Sequence, residues 1–220
     1  MTERLAQIEA IIFDMDGVII DSEYDHAVAD INALKRFGVT VDMDYIYRFV
    51  GTTITHMTDT IIRENQMSIQ PKELIDAFQE EKEKITLSSG YRPVEGTVEL
   101  IHRLKKRGHK LAIASSSTPV EIQNVIDYFQ ITDCFDTIVS GSYVKHPKPA
   151  PDIFLHAVRL LEETTDNCFV IEDSTVGVAA ARTAGIETIG FVNPNSGNQN
   201  LEQANHIVLH MKDCLPILSC

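Results

Sequence analysis

The sequence predicts an α/β protein: a doubly wound parallel sheet with an all-helical segment inserted after its first strand. Three observations carry that expectation. Short apolar runs rich in β-branched residues recur along the chain. Segments with helical periodicity lie between most of them, the pattern of βαβ units. One stretch, about residues 22–88, keeps helical patterning and has no convincing strand.

The strand candidates come in order at Ala10–Phe13, 111–114, 137–139, 169–171, 188–192 and 207–209. They are apolar without alternation, as strands covered on both faces are. Between them, 94–107 places Val98, Leu100, Ile101 and Leu104 on one helical face. Gly108 follows where a helix C-terminus favours it. The run Thr118-Pro119-Val120-Glu121 is a capping box with proline at the first helical position, opening a helix over 119–129. Helices are also expected over 151–161 and 174–184, the second closed by Gly185. Within the insertion the helical patterns fall near 22–37, 42–50, 53–65 and 71–87. The expected division is a core from residues 1–21 and 89–220 and a helical domain from 22–88.

Composition narrows the function. With a formal charge of −13, the surface repels nucleic acid and anionic membranes, so neither is expected as a partner. No apolar run approaches the roughly 18 residues of a membrane helix. The start, Met1-Thr2-Glu3-Arg4-Leu5, has no signal-peptide core, which leads to an expected cytoplasmic location, with a monomer favoured. The four cysteines, Cys134, Cys168, Cys214 and Cys220, form no C-x-x-C pair and no zinc-ligand spacing. They read as reduced thiols, some buried, with the terminal Cys220 exposed. The same negative charge repels phosphorylated metabolites, so a site for a phosphate ester must carry its own positive charge.

Ligands of open parallel sheets bind beyond the carboxyl ends of the strands. Four polar clusters follow strand candidates: Asp14-Met15-Asp16-Gly17, Ser115-Ser116-Ser117, the segment His146–Asp152 with Lys148 between two prolines, and Glu172-Asp173-Ser174. Each has an ordinary alternative. D-x-D-G also occurs in simple turns, and here it lacks the later acidic positions of an EF-hand. Asp173 or Ser174 could cap the next helix. Ser115 cannot easily do so, because Thr118 holds that position. Lys148 just ahead of a helix start opposes the helix dipole, a conflict that a bound anion between them removes. It is the convergence of all four on one sheet edge that suggests chemistry. Several carboxylates near one point call for a divalent cation, and oxygen ligands shared with a phosphate suit magnesium (Mg2+). Phosphoryl transfer depends on positioning and charge neutralisation, which a metal ion, Lys148 and the Ser115 hydroxyl supply.

In order, Asp14-Met15-Asp16-Gly17-Val18, Ser115, Lys148 and Glu172-Asp173 resemble the four motifs of the haloacid dehalogenase superfamily. The stretches Lys148-Pro149-Ala150-Pro151-Asp152 and Ile171–Ser174 with the following 176–185 resemble its β-phosphoglucomutase and sugar-phosphate phosphatase group. The resemblance implies that Asp14 is the nucleophile and a magnesium ligand. Asp16 would protonate the leaving group and then activate water, its backbone carbonyl also binding metal. Ser115 and Ser116 with Lys148 would hold phosphoryl oxygens, and Glu172 and Asp173 would complete the metal site. The segment 22–88 would be a cap that closes over the site and selects the substrate, with His26, Thr52, Thr53, His56 and Ser117 as candidate lining residues. The second aspartate and the acidic fourth motif argue against the metal-free dehalogenase branch. Gly51-Thr52-Thr53-Ile54-Thr55 places Ile54 where the mutase has a phosphate-binding arginine, and Arg48 falls on the other side of Gly51. The implied function is therefore a magnesium-dependent phosphatase of a small phosphorylated metabolite, with sugar phosphates as the expected class. A sugar-phosphate mutase and a non-catalytic phospho-ligand binder are the alternatives.

Overall fold

A computed structural model describes residues 8–218. The expectations for the first five residues and for Cys220 lie outside them. Among the described residues, β1 (Ala10–Phe13), β2 (Lys110–Ser115), β3 (Thr137–Ser140), β4 (Cys168–Glu172), β5 (Glu187–Phe191) and β6 (His206–Val208) form one parallel sheet in the order β3-β2-β1-β4-β5-β6. The order reverses between β1 and its two neighbours, so the carboxyl end of β1 lies at the switch point where such sheets bind ligands. The last two strands start and stop one residue earlier than the apolar runs suggest. Leu209 lies outside the ladder and is exposed, so hydrophobicity alone overran the paired segment.

The inserted helices are α1 (Glu23–Arg36), α2 (Met43–Tyr47), α3 (Ile54–Glu64) and α4 (Pro71–Ser89). They enclose their own apolar cluster, with Leu34, Ile46, Ile61, Leu74 and Phe78 at its centre. Helix α2 is shorter than its pattern because Gly51, at φ +78°, turns the chain back toward the sheet edge. The segments that lead into and out of these helices run side by side. Asp21 donates its N–H to the Arg92 carbonyl at 2.8 Å, Val94 donates to the Ile19 carbonyl at 3.0 Å, and Ile20 bridges Pro93.

Alternation along β1 sends Ile11 and Phe13 to one face of the sheet and Ala10 and Ile12 to the other. The first face packs under α5 (Thr97–Lys106) and α6 (Pro119–Tyr128), where Leu100, Ile101 and Leu104 meet Ile122 and Ile126. The second face packs under α7 (Asp152–Leu160) and α8 (Thr175–Thr183), where small residues, Ala112, Ala114, Ala180 and Ala181, let helix and sheet approach closely around Phe154. The capping box at Thr118 and Glu121 forms as its sequence demands. Cys134, Cys168 and Cys214 are buried and free. No helix among the described residues is long and apolar enough to cross a membrane.

Candidate active site

The site begins where β1 and β4 run out together. The Asp14 N–H donates to the Ile171 carbonyl at 3.0 Å, extending the ladder by one rung and setting Asp14 beside Glu172 and Asp173. Lys148 arrives from the loop before α7. Its Nζ donates to Asp14 Oδ1 at 2.8 Å and to Glu172 Oε1 at 2.7 Å, and it lies 5.0 Å from the centre of the Phe154 ring. All three groups are buried. The charge that conflicts with the α7 dipole in the sequence is thus answered by two carboxylates. Glu172 Oε2 accepts from the Ser174 N–H at 2.7 Å and from the Ser174 hydroxyl at 2.9 Å, while Ser174 also caps α8. Capping and site-building are therefore the same feature here, and the two readings of Ser174 in the sequence do not compete.

Glycines clear the space for these carboxylates. A Cβ on Gly177 would come within 1.6 Å of Glu172 Oε1, and one on Gly17 within 1.9 Å of Asp173 Oδ2. Gly17 also sits at φ +78°, which frees the backbone to turn straight after Asp16. The β5 end closes the far side: Ser196 Oγ donates to Asp173 Oδ2, and the Asn193 amide donates to the Gly17 carbonyl at 2.9 Å.

Asp14, Glu172 and Asp173 each offer a carboxylate oxygen, and the three lie within 4.8 Å of one another. Asp173 Oδ1 is buried and has no hydrogen-bond partner. Burial pushes the Asp14 carboxyl up to about 7, with Glu172 adding to the rise and Lys148 opposing it. Burial, and then Glu172, push Asp173 well above the usual carboxylate range. Three acidic groups against one ammonium, with one buried oxygen left without a partner, fit a divalent cation with oxygen ligands. The residues that could hold it are Asp14, Glu172 and Asp173. The Asp16 carboxylate is not part of that cluster. It accepts from the Ser22 hydroxyl at 2.7 Å and the Ser117 hydroxyl at 2.6 Å, and His26 Nδ1 lies 3.7 Å away. Burial lifts the Asp16 carboxyl, but His26 and these hydroxyls outweigh it and leave it below the ordinary value. Burial and the Lys82 ammonium push His26 down to about 4, with the Asp16 carboxylate opposing that fall.

A cavity of about 190 Å³ connects this edge to the inserted helices. Asp14, Asp16, Ser115, Ser116 and Ser117 line it from the core, and His26, Thr52 and Ile54 from the insertion. The Ser115 hydroxyl is buried and accepts from the Ser117 N–H at 3.0 Å. Ser116 donates to the Gly51 carbonyl at 3.0 Å, tying the two halves together, and Thr52 donates to the Phe49 carbonyl at 2.7 Å. Thr53 and His56 do not line the cavity: Thr53 caps α3 by accepting from the His56 N–H, and His56 is exposed. The Thr53-to-His56 spacing is a helix start, which sequence reading mistook for lining. The same reading passed over Ser22, Glu23, Asp30 and Lys82. The first three share a signal, since Ser22 precedes α1 and Glu23, His26, Ala27 and Asp30 fall at helical spacing on one of its faces. Lys82 carries none, because α4 is rich in lysine and glutamate and only packing decides which of them turns inward.

The chain is 30% identical over 190 residues to fructose-1-phosphate phosphatase YqaB of Escherichia coli, a match spanning 86% of this chain and 97% of that protein. It is 32% identical over 195 residues to SUPPRESSOR OF QUENCHING 1 of Arabidopsis thaliana, spanning 86% of this chain and 18% of that much longer relative. A β-phosphoglucomutase structure from Clostridium difficile superposes with a TM-score of 0.80 at 29% identity, over 94% of this chain and 92% of that one. Residues 11–191, which run from β1 through the four polar clusters to β5, match the haloacid dehalogenase-like hydrolases, and the chain belongs to that family.

Proposed function

We propose that the chain is a magnesium-dependent phosphatase of a small sugar phosphate, acting in the cytoplasm through a phospho-aspartate on Asp14. The observation that carries this reading is Asp14 itself. It is a buried carboxylate at the switch point, held by Lys148 at 2.8 Å, and it opens onto a cavity lined by Asp16 and Ser115. The relatives' names support the substrate class, since YqaB is a fructose-1-phosphate phosphatase.

In this reading an Asp14 oxygen attacks phosphorus as the ester P–O bond breaks, and Asp16, which takes up a proton from solvent as the anionic ester binds, gives it to the departing alkoxide. Asp16 then takes a proton from water, which attacks the acyl phosphate, releasing inorganic phosphate and restoring Asp14. Ser22 and Ser117 aim the Asp16 carboxylate at the leaving-group side. Lys148 and the Ser115 hydroxyl stabilise the phosphoryl oxygens as their charge shifts. Magnesium, held by Asp14, Glu172, Asp173 and the Asp16 backbone carbonyl, would neutralise the clustered carboxylates and the phosphoryl charge. The segment 22–88 acts as a cap over the cavity, keeping bulk water from the acyl phosphate.

A mutase needs a second phosphate grip from the cap, and the position that supplies an arginine in mutases is Ile54 here, lining the cavity with an apolar side chain. Arg48 is engaged elsewhere, with Glu64 at 2.8 Å and stacked on Tyr45 at 4.3 Å. The test is phosphate release from a panel of sugar phosphates, with magnesium and with chelator, for wild type and Asp14→Asn. Release that requires both magnesium and Asp14 is the expected result. An isomerised sugar phosphate without free phosphate would favour the mutase, and release that survives Asp14→Asn would overturn the mechanism.

A further inference from the structure

The cavity wall supplied by the inserted helices carries charges that the reaction does not use. Helix α1 turns Glu23 and Asp30 onto it, two helical turns apart and on the face that also bears His26. Asp30 is 3% exposed and Glu23 is 8% exposed, yet both line the cavity. Asp30 Oδ1 is buried without any hydrogen-bond donor. A buried acceptor left unpaired costs stability, so its retention at a cavity wall points to a donor that arrives with a ligand. Lys82 of α4 lines the same cavity; burial works against its charge, and Asp30, Glu121, Asp16 and Glu23 favour it.

Resting on the phosphatase reading above, we infer that Glu23, Asp30 and Lys82, which line one cavity, form a subsite for the uncharged, hydroxyl-bearing end of the substrate, and that this subsite rejects substrates with a second anionic group. Hydroxyls are the fitting donors because each can give a proton to a carboxylate and accept one from the Lys82 ammonium. A second ammonium is not required, since Lys82 already supplies the cation. A carboxylate or second phosphate in this place would face Glu23, Asp30 and Asp16, with Lys82 as its counter-charge from the cap.

The test compares two esters of one chain length, glucose 6-phosphate and 6-phosphogluconate, in wild type, Asp30→Asn and Glu23→Gln, all with magnesium. Wild type should favour the neutral sugar in kcat/KM. Losing a hydrogen bond to a charged group should lower kcat/KM for glucose 6-phosphate about ten-fold or more in Asp30→Asn. The removed charge should at the same time help the aldonate, so the selectivity ratio falls further than either rate. A ratio unchanged from wild type, whatever the absolute loss, would mean that Asp30 is merely structural and would overturn the inference, as would a wild type that prefers the aldonate. Calorimetric titration of the same esters into the Asp14→Asn chain reads binding apart from turnover. If wild type releases phosphate from no ester, the phosphatase reading falls, and the calorimetric ratio, with and without Asp30→Asn, still decides the subsite.

Discussion

Asp30→Asn should make the protein more stable, and by a margin that depends on pH. Burial raises the Asp30 carboxyl from an ordinary 3.8 to about 6, with Lys82 only partly opposing the rise. A raised carboxyl pKa means that the folded chain holds the proton more tightly than the unfolded chain. Stability is therefore lost as pH climbs from 3.8 to about 6, and the deficit is constant above that. At about 1.4 kcal/mol per pH unit, the cost of keeping Asp30 ionised in the fold comes to about 3 kcal/mol at pH 8. Asparagine keeps the shape and cannot ionise, so the variant should recover most of that. For a chain of this length it corresponds to a Tm increase of roughly 6–12 °C. Thermal unfolding followed by circular dichroism at pH 8 and at pH 4 checks the claim, because the gain should be nearly gone at pH 4. A variant no more stable than wild type at pH 8, or a gain as large at pH 4, would refute the electrostatic reasoning. Stability gained where selectivity is lost is the exchange expected of a site residue.

Asp14→Asn should lower phosphate release by a factor on the order of 10³ or more, as loss of a nucleophile does, with an unchanged circular dichroism spectrum. Asp16→Asn should cost less, and its deficit should shrink for esters with acidic leaving groups, read by comparing aryl and alkyl phosphates. Lys148→Ala leaves two buried carboxylates without their cation and should destabilise the fold by about 3–5 kcal/mol in urea titration. Added magnesium should restore part of that loss. Gly177→Ala puts a methyl group where the Glu172 carboxylate now sits, so it should fold but need much more magnesium for half-maximal activity. Wild-type magnesium affinity in that variant would show that Glu172 can move without consequence.

The sheet and its four polar ends were legible because they follow from local features: continuous apolar runs, caps, and turns rich in glycine and proline. Asp14, Ser115 and Glu172 each sit within a residue of a strand end that the sequence itself announces, and Lys148 stands just ahead of α7. The cap side of the cavity was legible only in part. His26 lies in the cavity wall, but its neighbours Glu23 and Asp30 look like solvated charges in a run of α1 that also contains Asp25, Lys35 and Arg36. Whether such a charge faces water or a cavity depends on how α1 meets α4, and that is a tertiary fact. His56 failed for the opposite reason, since a histidine beside two threonines looks chemical and is in fact held at an exposed helix start.

At Ile20 and Pro93 the chain leaves the core and re-enters it at adjacent points, already joined by hydrogen bonds on either side. To the sheet, everything between Asp21 and Arg92 is equivalent to a tight turn. A shortened chain with a two-residue hairpin in place of 22–91 would keep both bonded ends in register, while Asp16 would lose its Ser22 partner and Ser116 its Gly51 partner. The inserted helices thus join the core through two adjacent, hydrogen-bonded points of one polypeptide.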